Sequence, residues 1–521
     1  MATMSDLVGH AWKGRLPFGF SAWSIFILLA IVFYIAKAIR SYVLLRPFDG
    51  PLIAKFSRLW MIRSALSGTQ NTRLHDCVKK YGSICRIGPK TLLVSDADFL
   101  WKVNSVRGQY IRSVAYTAFS LERGKNNILS IRDEKRHQDL RAQMAAGYSG
   151  KENLHLESSI DHHVRKLLGL IERKYLSSTS EGYRPIDFAR TSSYFTFDVI
   201  TDIAFGRPAS YLDADEDKYD FISNVASLFP VMCVTAVVPS LVQLTEVGWI
   251  NKLLAPSKSD RMGIGRIMGI ARATVDERFT PGHPDRGDML AAFIRHGLDK
   301  DQAECEVMLQ ILAGADTTAT ALRAILLFII SKPSVVRKIL AEFDTHGVGC
   351  PREVSDMETE IVSVEQIQQL SYLDACIKEG LRLRPPATGY LQKEVPPGGD
   401  TLPDGRFIPG GTGIAYCAWG VMRSPEAFGP NAEIFHPERW LESSPEQLRL
   451  MKRHWELGFS TGKWRCLGKD VALLELQKVL VELLRRYDIA AVDPTQPMKS
   501  RNYSLFLDTD FRLVITSKNQ N

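Results

Sequence analysis

The sequence is poor in cysteine and has no strong excess of either charge. Its 521 residues include eight cysteines, without a Cys-x-x-Cys pair or the close spacing of a short secreted protein. We therefore expect reduced thiols on the cytosolic side rather than a disulfide framework. Lysine and arginine number 65 against 58 for aspartate and glutamate. A net charge of +7, spread along the chain, argues against a nucleic-acid partner.

The chain also lacks internal repeats, long low-complexity tracts and a Gly-x-Gly-x-x-Gly turn between a strand and a helix. The last absence argues against a dinucleotide site. Hydrophobic residues make up 45% of the chain, which is ample for a core. The length allows one large domain or several average ones.

A single cysteine, Cys466, lies in a glycine-rich loop just before an apolar helical stretch at 471–487. Residues 459–468 read Phe-Ser-Thr-Gly-Lys-Trp-Arg-Cys-Leu-Gly, and the glycines permit a tight turn with positive φ. The positive end of the helix favours a thiolate. A thiolate is a soft ligand, and haem iron is the cofactor that uses one alone. A buried structural cysteine is the competing interpretation.

This loop resembles the haem-thiolate loop of the cytochromes P-450, whose pattern is Phe-x-x-Gly-x-Arg-x-Cys-x-Gly. Phe459, Gly462, Cys466 and Gly468 match that pattern. The resemblance implies that Cys466 is the axial ligand of the iron in haem b and that Phe459 contributes to cofactor binding.

The loop departs from the family pattern at Trp464, where the family has an arginine that binds a haem propionate. Lys463 and Arg465 flank this position, and the resemblance leaves Arg465 or Lys463 as the expected replacement.

Three more cations match propionate-binding positions of the family. His137 and Arg141 are four residues apart in a stretch that opens a helix, so they share one face. Lys393 stands where the family often has a further cation. An ordinary solvated helix face is the competing interpretation for the first pair.

A second chemical stretch, residues 310–318, lies inside a helix predicted from about Asp301 to Ser331. Glycine and an Asp-Thr-Thr run are unfavourable in a buried helix. The run matches the acid–threonine element of the same family, which implies that Asp316 and Thr317 deliver protons to bound oxygen. Gly314 would clear space above the cofactor. The local alternative is that Thr317 bonds the Ala313 carbonyl and that Gly314 permits close packing.

A third stretch carries Glu379 and Arg382, three apart on one helical face, and a later element supplies Arg439. The resemblance implies a buried network of these three charged residues that supports the cysteine loop. Their expected role is structural.

An uncharged run from Phe18 to Ala36 is long enough, at ~1.5 Å per residue, to approach the ~30 Å hydrocarbon core of a bilayer. The cations that follow it outnumber those before it, which places the rest of the chain in the cytosol. We therefore expect a single-pass signal anchor, and a cleaved signal peptide is the alternative. A proline-rich turn at 46–51 follows, which resembles the family's hinge.

The expected fold is mainly α with a small β region, the cytochrome P-450 fold, preceded by one N-terminal transmembrane helix. Residues 1–45 form the anchor, with the span at about 18–36, and residues 46–521 form the haem-thiolate domain. The amino-acid sequence of the 313–323 stretch most resembles that of fungal members of the family related to pisatin demethylase.

The resemblance implies a monooxygenase of the endoplasmic reticulum membrane that uses O₂ and electrons from the NADPH–cytochrome P-450 reductase, with cytochrome b5 as a further partner. Lys463, Arg465 and Lys469 are the expected docking charges. Mostly apolar segments at 110–125, 221–247, 305–313, 387–391 and 503–506 suit a lipophilic small molecule such as a terpenoid. The alternatives are a haem-thiolate isomerase or dehydratase that needs no O₂, and a haem-binding membrane protein without turnover.

Overall fold

The computed structural model describes residues 22–122, 124–180, 182–245, 257–350 and 360–518. Helices dominate the described chain. In the first half they are α1 (Ala22–Leu44), α2 (Leu52–Phe56), α3 (Leu59–Ala65), α4 (Gln70–Tyr81), α5 (Ala97–Asn104), α6 (Glu134–Tyr148), α7 (Leu156–Leu170), α8 (Phe188–Phe205), α9 (Tyr211–Ala214), α10 (Phe221–Val237) and α11 (Ser240–Thr245).

The described part of the second half contains the long helix α14 and ten further helices or helical turns. They are α12 (Gly263–Arg278), α13 (Met289–Arg295), α14 (Lys300–Ile330), α15 (Pro333–Thr345), α16 (Val364–Ile367), α17 (Ser371–Leu383), α18 (Ala418–Val421), α19 (Pro425–Phe428), α20 (Arg439–Glu442), α21 (Pro445–Glu456) and α22 (Lys469–Arg486). Short 3-10 turns lie at Val114–Phe119, Lys218–Asp220, Leu457–Phe459 and Gly462–Trp464, and a π turn lies at Ile171–Tyr175.

The strands are short and form small sheets. They are β1 (Ile84–Gly88), β2 (Thr91–Val94), β3 (Ile111–Arg112), β4 (Ile186–Asp187), β5 (Lys393–Glu394), β6 (Asp400–Thr401), β7 (Phe407–Ile408), β8 (Gly413–Tyr416), β9 (Tyr487–Ala491), β10 (Lys499–Tyr503), β11 (Leu505–Thr509) and β12 (Arg512–Ser517). The largest sheet has the order β1-β2-β8-β5-β3, with β2 and β8 parallel. The mainly α architecture with a small β region is therefore as predicted.

The N-terminal apolar run is helical where it is described, although residues 18–21 of the predicted span lie outside the described part. Helix α1 continues past Ala36 to Leu44. Among the described residues, three helical stretches are long and apolar enough to cross a membrane: Trp23–Leu44, Lys218–Val237 and Lys300–Ile330. The protein buries 61% of the third stretch, 28% of the second and only 6% of the first.

Helix α14 is the centre of the core. It packs against α8 along its length and also contacts α12, α17 and α22. Asp299 caps its first turn by accepting from the Gln302 N–H at 2.8 Å, and the chain leaves the helix before Pro333. Most of its side chains are buried, which confirms the predicted burial of this helix.

Helix α10 covers most of the apolar segment 221–247, which was predicted to lie near the pocket. Pro230 lies inside α10, and the helix ends at Val237, ahead of Pro239. Residues 246–247 of that segment lie outside the described residues. Helix α10 packs over the Val114–Phe119 turn, which places two of the predicted pocket segments against each other.

Candidate functional site

The cysteine loop is a tight turn held by its own backbone. The Cys466 N–H donates to the Phe459 carbonyl at 2.8 Å. Gly462 has φ +59°, and a Cβ there would lie 1.9 Å from the Asn104 carbonyl oxygen, so glycine is required. Gly468 differs from the prediction: its φ is −82°, and it serves as the N-terminal cap residue of α22.

The Cys466 thiol is accessible, yet the protein around it desolvates the sulfur. Burial raises the pKa of Cys466, and the Gly468 N–H, Arg141 and Arg465 offset this only in part. The Gly468 N–H at the start of α22 favours the thiolate, as the sequence predicts, but it acts against burial. A coordinated metal ion would supply the missing positive charge.

The middle of α14 faces open space. Ala313 is exposed although Ile311, Ala315 and Thr318 around it are buried. The Thr317 hydroxyl donates to the Ala313 carbonyl at 2.7 Å, which is the local alternative considered for this residue. Helix α22, which begins at Lys469 just after Cys466, packs against α14. We infer a slot between the exposed Cys466 and the exposed turn of α14.

Gly314 serves helix packing rather than clearance above a cofactor. A Cβ at this position would lie 2.8 Å from Cγ1 of Ile200 on α8. The expectation that Gly314 clears the cofactor face is therefore wrong in this structure.

Asp316 holds a buried carboxyl oxygen, Oδ2, without a hydrogen-bond partner among the described residues. Burial raises its pKa to about 6, Arg323 lowers it and Asp508 raises it. A carboxyl group with this pKa exchanges its proton near neutral pH.

The predicted cations His137, Arg141 and Lys393 come together, and they are joined by Arg112 of β3. Burial, followed by the charges of Arg112, Arg141, Lys463 and Lys393, lowers the pKa of His137 to about 3. Arg112, Arg141 and Lys393 have no ion-pair partner among the residues described. The cluster therefore carries an excess of buried positive charge, which an anion would relieve.

Lys463 is not available as the replacement for the family arginine. Its ammonium donates to the Gly108 and Tyr110 carbonyls at 3.1 and 2.7 Å and lies 3.1 Å from Glu134 Oε2. Arg465 has an exposed side chain, and its backbone carbonyl accepts from Arg141 Nη1 at 2.7 Å.

Trp464 itself faces the cationic cluster. It is 6% exposed, and its indole Nε1 is buried without a hydrogen-bond partner in the described chain. The ammonium groups of Lys393 and Lys463 lie 4.6 and 4.5 Å from its ring centroid. An aromatic ring stabilises nearby cations, and its N–H is a donor without an acceptor.

These residues fit haem b. A flat ligand with a metal at its centre and two carboxylates at one edge matches an exposed cysteine in the loop before α22 and a cluster of cations. Buried donor atoms without a partner point to the same conclusion: His137 Nδ1, Arg112 Nε and Trp464 Nε1. Each would cost free energy if left unpaired.

The predicted charged network is present and buried. Arg382 Nη2 and Arg439 Nε lie 2.8 and 3.0 Å from Glu379 Oε1. Burial alone would raise the pKa of Glu379, but Arg382 and Arg439 lower it below its usual value. The Trp440 N–H also donates to Glu379, so the network ties α17 to the segment before the cysteine loop.

The predicted docking charges are mostly buried. Lys463 and Lys469 are each 7% exposed, and Lys469 pairs with Glu456 at 2.6 Å. Of the three expected docking residues, Arg465 alone is exposed. The expectation for Lys463 and Lys469 is therefore wrong.

Two residues of the cationic cluster escaped the reasoning from sequence. Arg112 lies in a two-residue strand within a segment without periodicity, so nothing in the sequence marks it. Trp464 is visible as a departure from the motif. Propionate binding was predicted for its charged neighbours Lys463 and Arg465 instead.

Comparison with known proteins agrees with this geometry. The family model described as Cytochrome P-450 matches residues 50–512. The chain is 39% identical over 497 residues to the cytochrome P-450 monooxygenase ABA1 of Pyricularia oryzae, covering 94% of this chain and 96% of the relative.

Two further fungal relatives are cytochrome P-450 monooxygenases. The monooxygenase aba1 of Botryotinia fuckeliana is 34% identical, over 91% of this chain and 92% of the relative. The monooxygenase abl1 of Leptosphaeria maculans is 33% identical, over 93% of this chain and 86% of the relative.

Proposed function

The chain belongs to the cytochrome P-450 family of haem-dependent monooxygenases, and from this premise we propose that it oxidises a lipophilic small molecule at a membrane. The observation that carries the proposal is an exposed cysteine, Cys466, in a tight loop before α22, which packs against the helix that carries Asp316 and Thr317. Its relatives are fungal monooxygenases, which supports a role in fungal secondary metabolism.

When bound, haem supplies an iron centre that activates O₂, with Cys466 as its thiolate ligand. Asp316 holds a proton that it can release near neutral pH, because burial raises its pKa to about 6. Thr317 keeps its hydroxyl at the same turn through the bond to Ala313 and can accept a second hydrogen bond. The two residues therefore provide a donor and an acceptor beside the slot.

The cationic cluster would hold the two haem propionates. Arg112, Arg141 and His137 come from β3 and α6, and Lys393 and Trp464 face them. Burial lowers the pKa of Lys393 well below its usual value, and a carboxylate beside the ammonium would reverse that shift. We assign the role of the missing family arginine to Trp464 together with Lys393, in place of Lys463.

Three of the predicted pocket segments, 221–247, 387–391 and 503–506, converge. The Cys233 thiol on α10 donates to the Tyr503 carbonyl at 3.0 Å, and the Thr388 N–H donates to the Ser504 carbonyl at 2.7 Å. These mostly apolar segments favour a lipophilic substrate, for which we propose a terpenoid or a related fungal metabolite.

The exposed apolar surface of α1 supports a single-pass anchor in the endoplasmic reticulum membrane with the haem domain in the cytosol. Electrons would come from the NADPH–cytochrome P-450 reductase, with cytochrome b5 as a second donor. A haem-thiolate isomerase or dehydratase is less well supported, because Asp316 and Thr317 are both present at the slot.

Reconstitution tests this proposal. The full chain in nanodiscs with reductase, NADPH and O₂ should oxidise members of a terpenoid panel, and omission of any one component should abolish the product. Asp316→Asn should lower the rate about 100-fold, because it removes the exchangeable proton. The exposed control Asp76→Asn should leave the rate unchanged. Product formation without O₂ would favour the isomerase.

A further inference from the structure

A groove lies where α1 meets the catalytic body. It encloses about 580 Å³ between the last turns of α1, the β1–β2 turn at Lys90 and the β7–β8 turn at Thr412. We call it the interfacial groove. It is distant from the cysteine loop in the fold, and the proposed oxidation makes no use of it.

The lining of the interfacial groove combines positive charge with apolar surface. Lys37 and Arg40 lie one turn apart on α1, and Lys90 faces them from the β1–β2 turn. All three are exposed, no carboxylate lines the groove, and none of the three has an ion-pair partner in the described part of the chain. Phe33, 70% exposed and one turn from Lys37 on the Trp23 side, adds the apolar wall.

The groove is held rigid by Arg86, which is fully buried. Its guanidinium donates to the Ser41 carbonyl at 3.2 Å and to the Pro89 carbonyl at 2.8 Å. Arg86 therefore caps the C-terminal end of α1 and fixes it to the turn that carries Lys90. The Gly413 N–H donates to the Lys90 carbonyl at 2.8 Å and ties the third wall to the same turn.

The position of the groove along α1 matches the headgroup region of a bilayer. From Trp23 to Lys37 the helix rises ~21 Å, and Arg40 lies one turn further, at the end of the apolar stretch. Phosphate groups of lipids lie at this depth, and cations beside them bind anionic headgroups. The groove therefore presents its cations at phosphate level and its apolar wall toward the acyl chains.

We propose that the interfacial groove binds one anionic phospholipid, with its phosphate between Lys37, Arg40 and Lys90 and an acyl chain along Phe33. Net negative headgroups are preferred to zwitterionic ones because three cations have no protein counter-ion. The proposal rests on the membrane anchoring proposed above. A bound lipid would fix the catalytic body at one tilt on the membrane.

Native mass spectrometry of the detergent-purified full-length holoprotein tests this site. Phosphatidylserine and phosphatidylcholine are titrated against wild type, against Lys37→Gln/Arg40→Gln/Lys90→Gln, and against the control Arg46→Gln/Arg63→Gln/Arg73→Gln. The control residues are exposed, lie near the anchor in sequence and do not line the groove. We expect wild type and control to retain one phosphatidylserine, and the groove variant to bind it roughly 100-fold more weakly.

Equal weakening in both variants would show general charge attraction and overturn the site. Equal retention of phosphatidylcholine would overturn the preference for negative charge, and displacement by millimolar glycerol phosphate would overturn the assignment to a membrane lipid. Flotation of wild type with neutral vesicles separates the two proposals. If the protein floats but retains no lipid, the groove proposal fails and the anchor stands; if it does not float, the anchor fails.

Discussion

In the proposed site, Trp464 stands where the family has a propionate-binding arginine, a side chain of a different chemical type. An arginine at this position would offer a charged fork, whereas the indole offers one N–H and a ring face. The ring lies against two ammonium groups, Lys393 and Lys463, and so stabilises a local concentration of positive charge. Lys393 and Lys463 would then supply the positive charge, and the indole N–H of Trp464 would donate the hydrogen bond to a propionate.

Trp464→Phe keeps the ring and removes the N–H. We expect haem to transfer to apomyoglobin about tenfold faster, because a hydrogen bond to a carboxylate is lost. Trp101→Phe is the matched control, since the Trp101 N–H donates to the Arg453 carbonyl at 3.0 Å away from the cluster. Equal transfer rates for Trp464→Phe and wild type would contradict the assignment.

We expect the protonation of Glu306 to have a large effect on the free energy of unfolding. It is fully buried on α14, and burial raises its pKa to about 8, with the Gln302 side chain and the Ile128 N–H lowering it in part. The folded state therefore holds a proton that the unfolded state releases near pH 4.5. Stability should fall as pH rises from 4.5 to 8, by at most about 1.4 kcal/mol per pH unit, and then level off.

Glu306→Gln should flatten that dependence, because its amide oxygen can still accept from Ile128 and Gln302. Thermal unfolding midpoints of the holoprotein between pH 5 and pH 9 measure the effect. The exposed Glu446→Gln should behave as wild type. A pH profile that is unchanged by Glu306→Gln would show that this carboxyl is ionised throughout.

At the scale of elements, the contact between α14 and α8 decides the role of Gly314. Gly314→Ala should lower the free energy of unfolding by about 1–3 kcal/mol, because the added methyl meets Ile200. Gly314→Ala/Ile200→Ala should be less destabilised than the sum of the single variants. An unchanged unfolding midpoint with an altered haem spectrum would instead place Gly314 at the cofactor face.

The elements that carry strong local signals were predicted from sequence. Helix α14 and the start of α6, which carries His137 and Arg141, were both predicted. A proline inside a helix is unfavourable by local preference, yet α10 continues through Pro230 and packs over the Val114–Phe119 turn. Local preference does not include that tertiary contact.

At the scale of the whole molecule, Arg86 makes the end of α1 part of the catalytic body. Leu45 and Phe48 next to it are buried as well, at 2% and 0% exposure. A flexible hinge would leave this segment exposed. The prolines of residues 46–51 therefore turn the chain, while buried contacts on both sides fix the direction of the anchor.

Two truncations separate anchoring from stability. Removal of residues 1–36 should abolish flotation and leave the unfolding midpoint unchanged. Removal of residues 1–45 should abolish flotation and also cost about 1–3 kcal/mol, because Arg86 loses the Ser41 and Tyr42 carbonyls. Equal midpoints for the two truncated proteins would show that the end of α1 adds nothing to the body.

The overall arrangement of the site was predictable only where residues belong to motifs. Cys466, Asp316, Thr317 and the Glu379 network could be assigned because each lies in a recognisable pattern. Arg112 and the burial of Lys463 and Lys469 depend on which distant segments meet, such as the Gly108 and Tyr110 carbonyls that occupy Lys463. The spacing of residues along the sequence does not predict such tertiary contacts between distant segments.

The reduced carbon-monoxide difference spectrum of membranes containing the chain, beside Cys466→His, tests the central claim most directly. Thiolate ligation predicts a strongly red-shifted Soret band in wild type and its loss in the variant. The ordinary band of a histidine-ligated haem in well-folded wild type would contradict Cys466 as the ligand, and the assigned monooxygenase chemistry would fail with it.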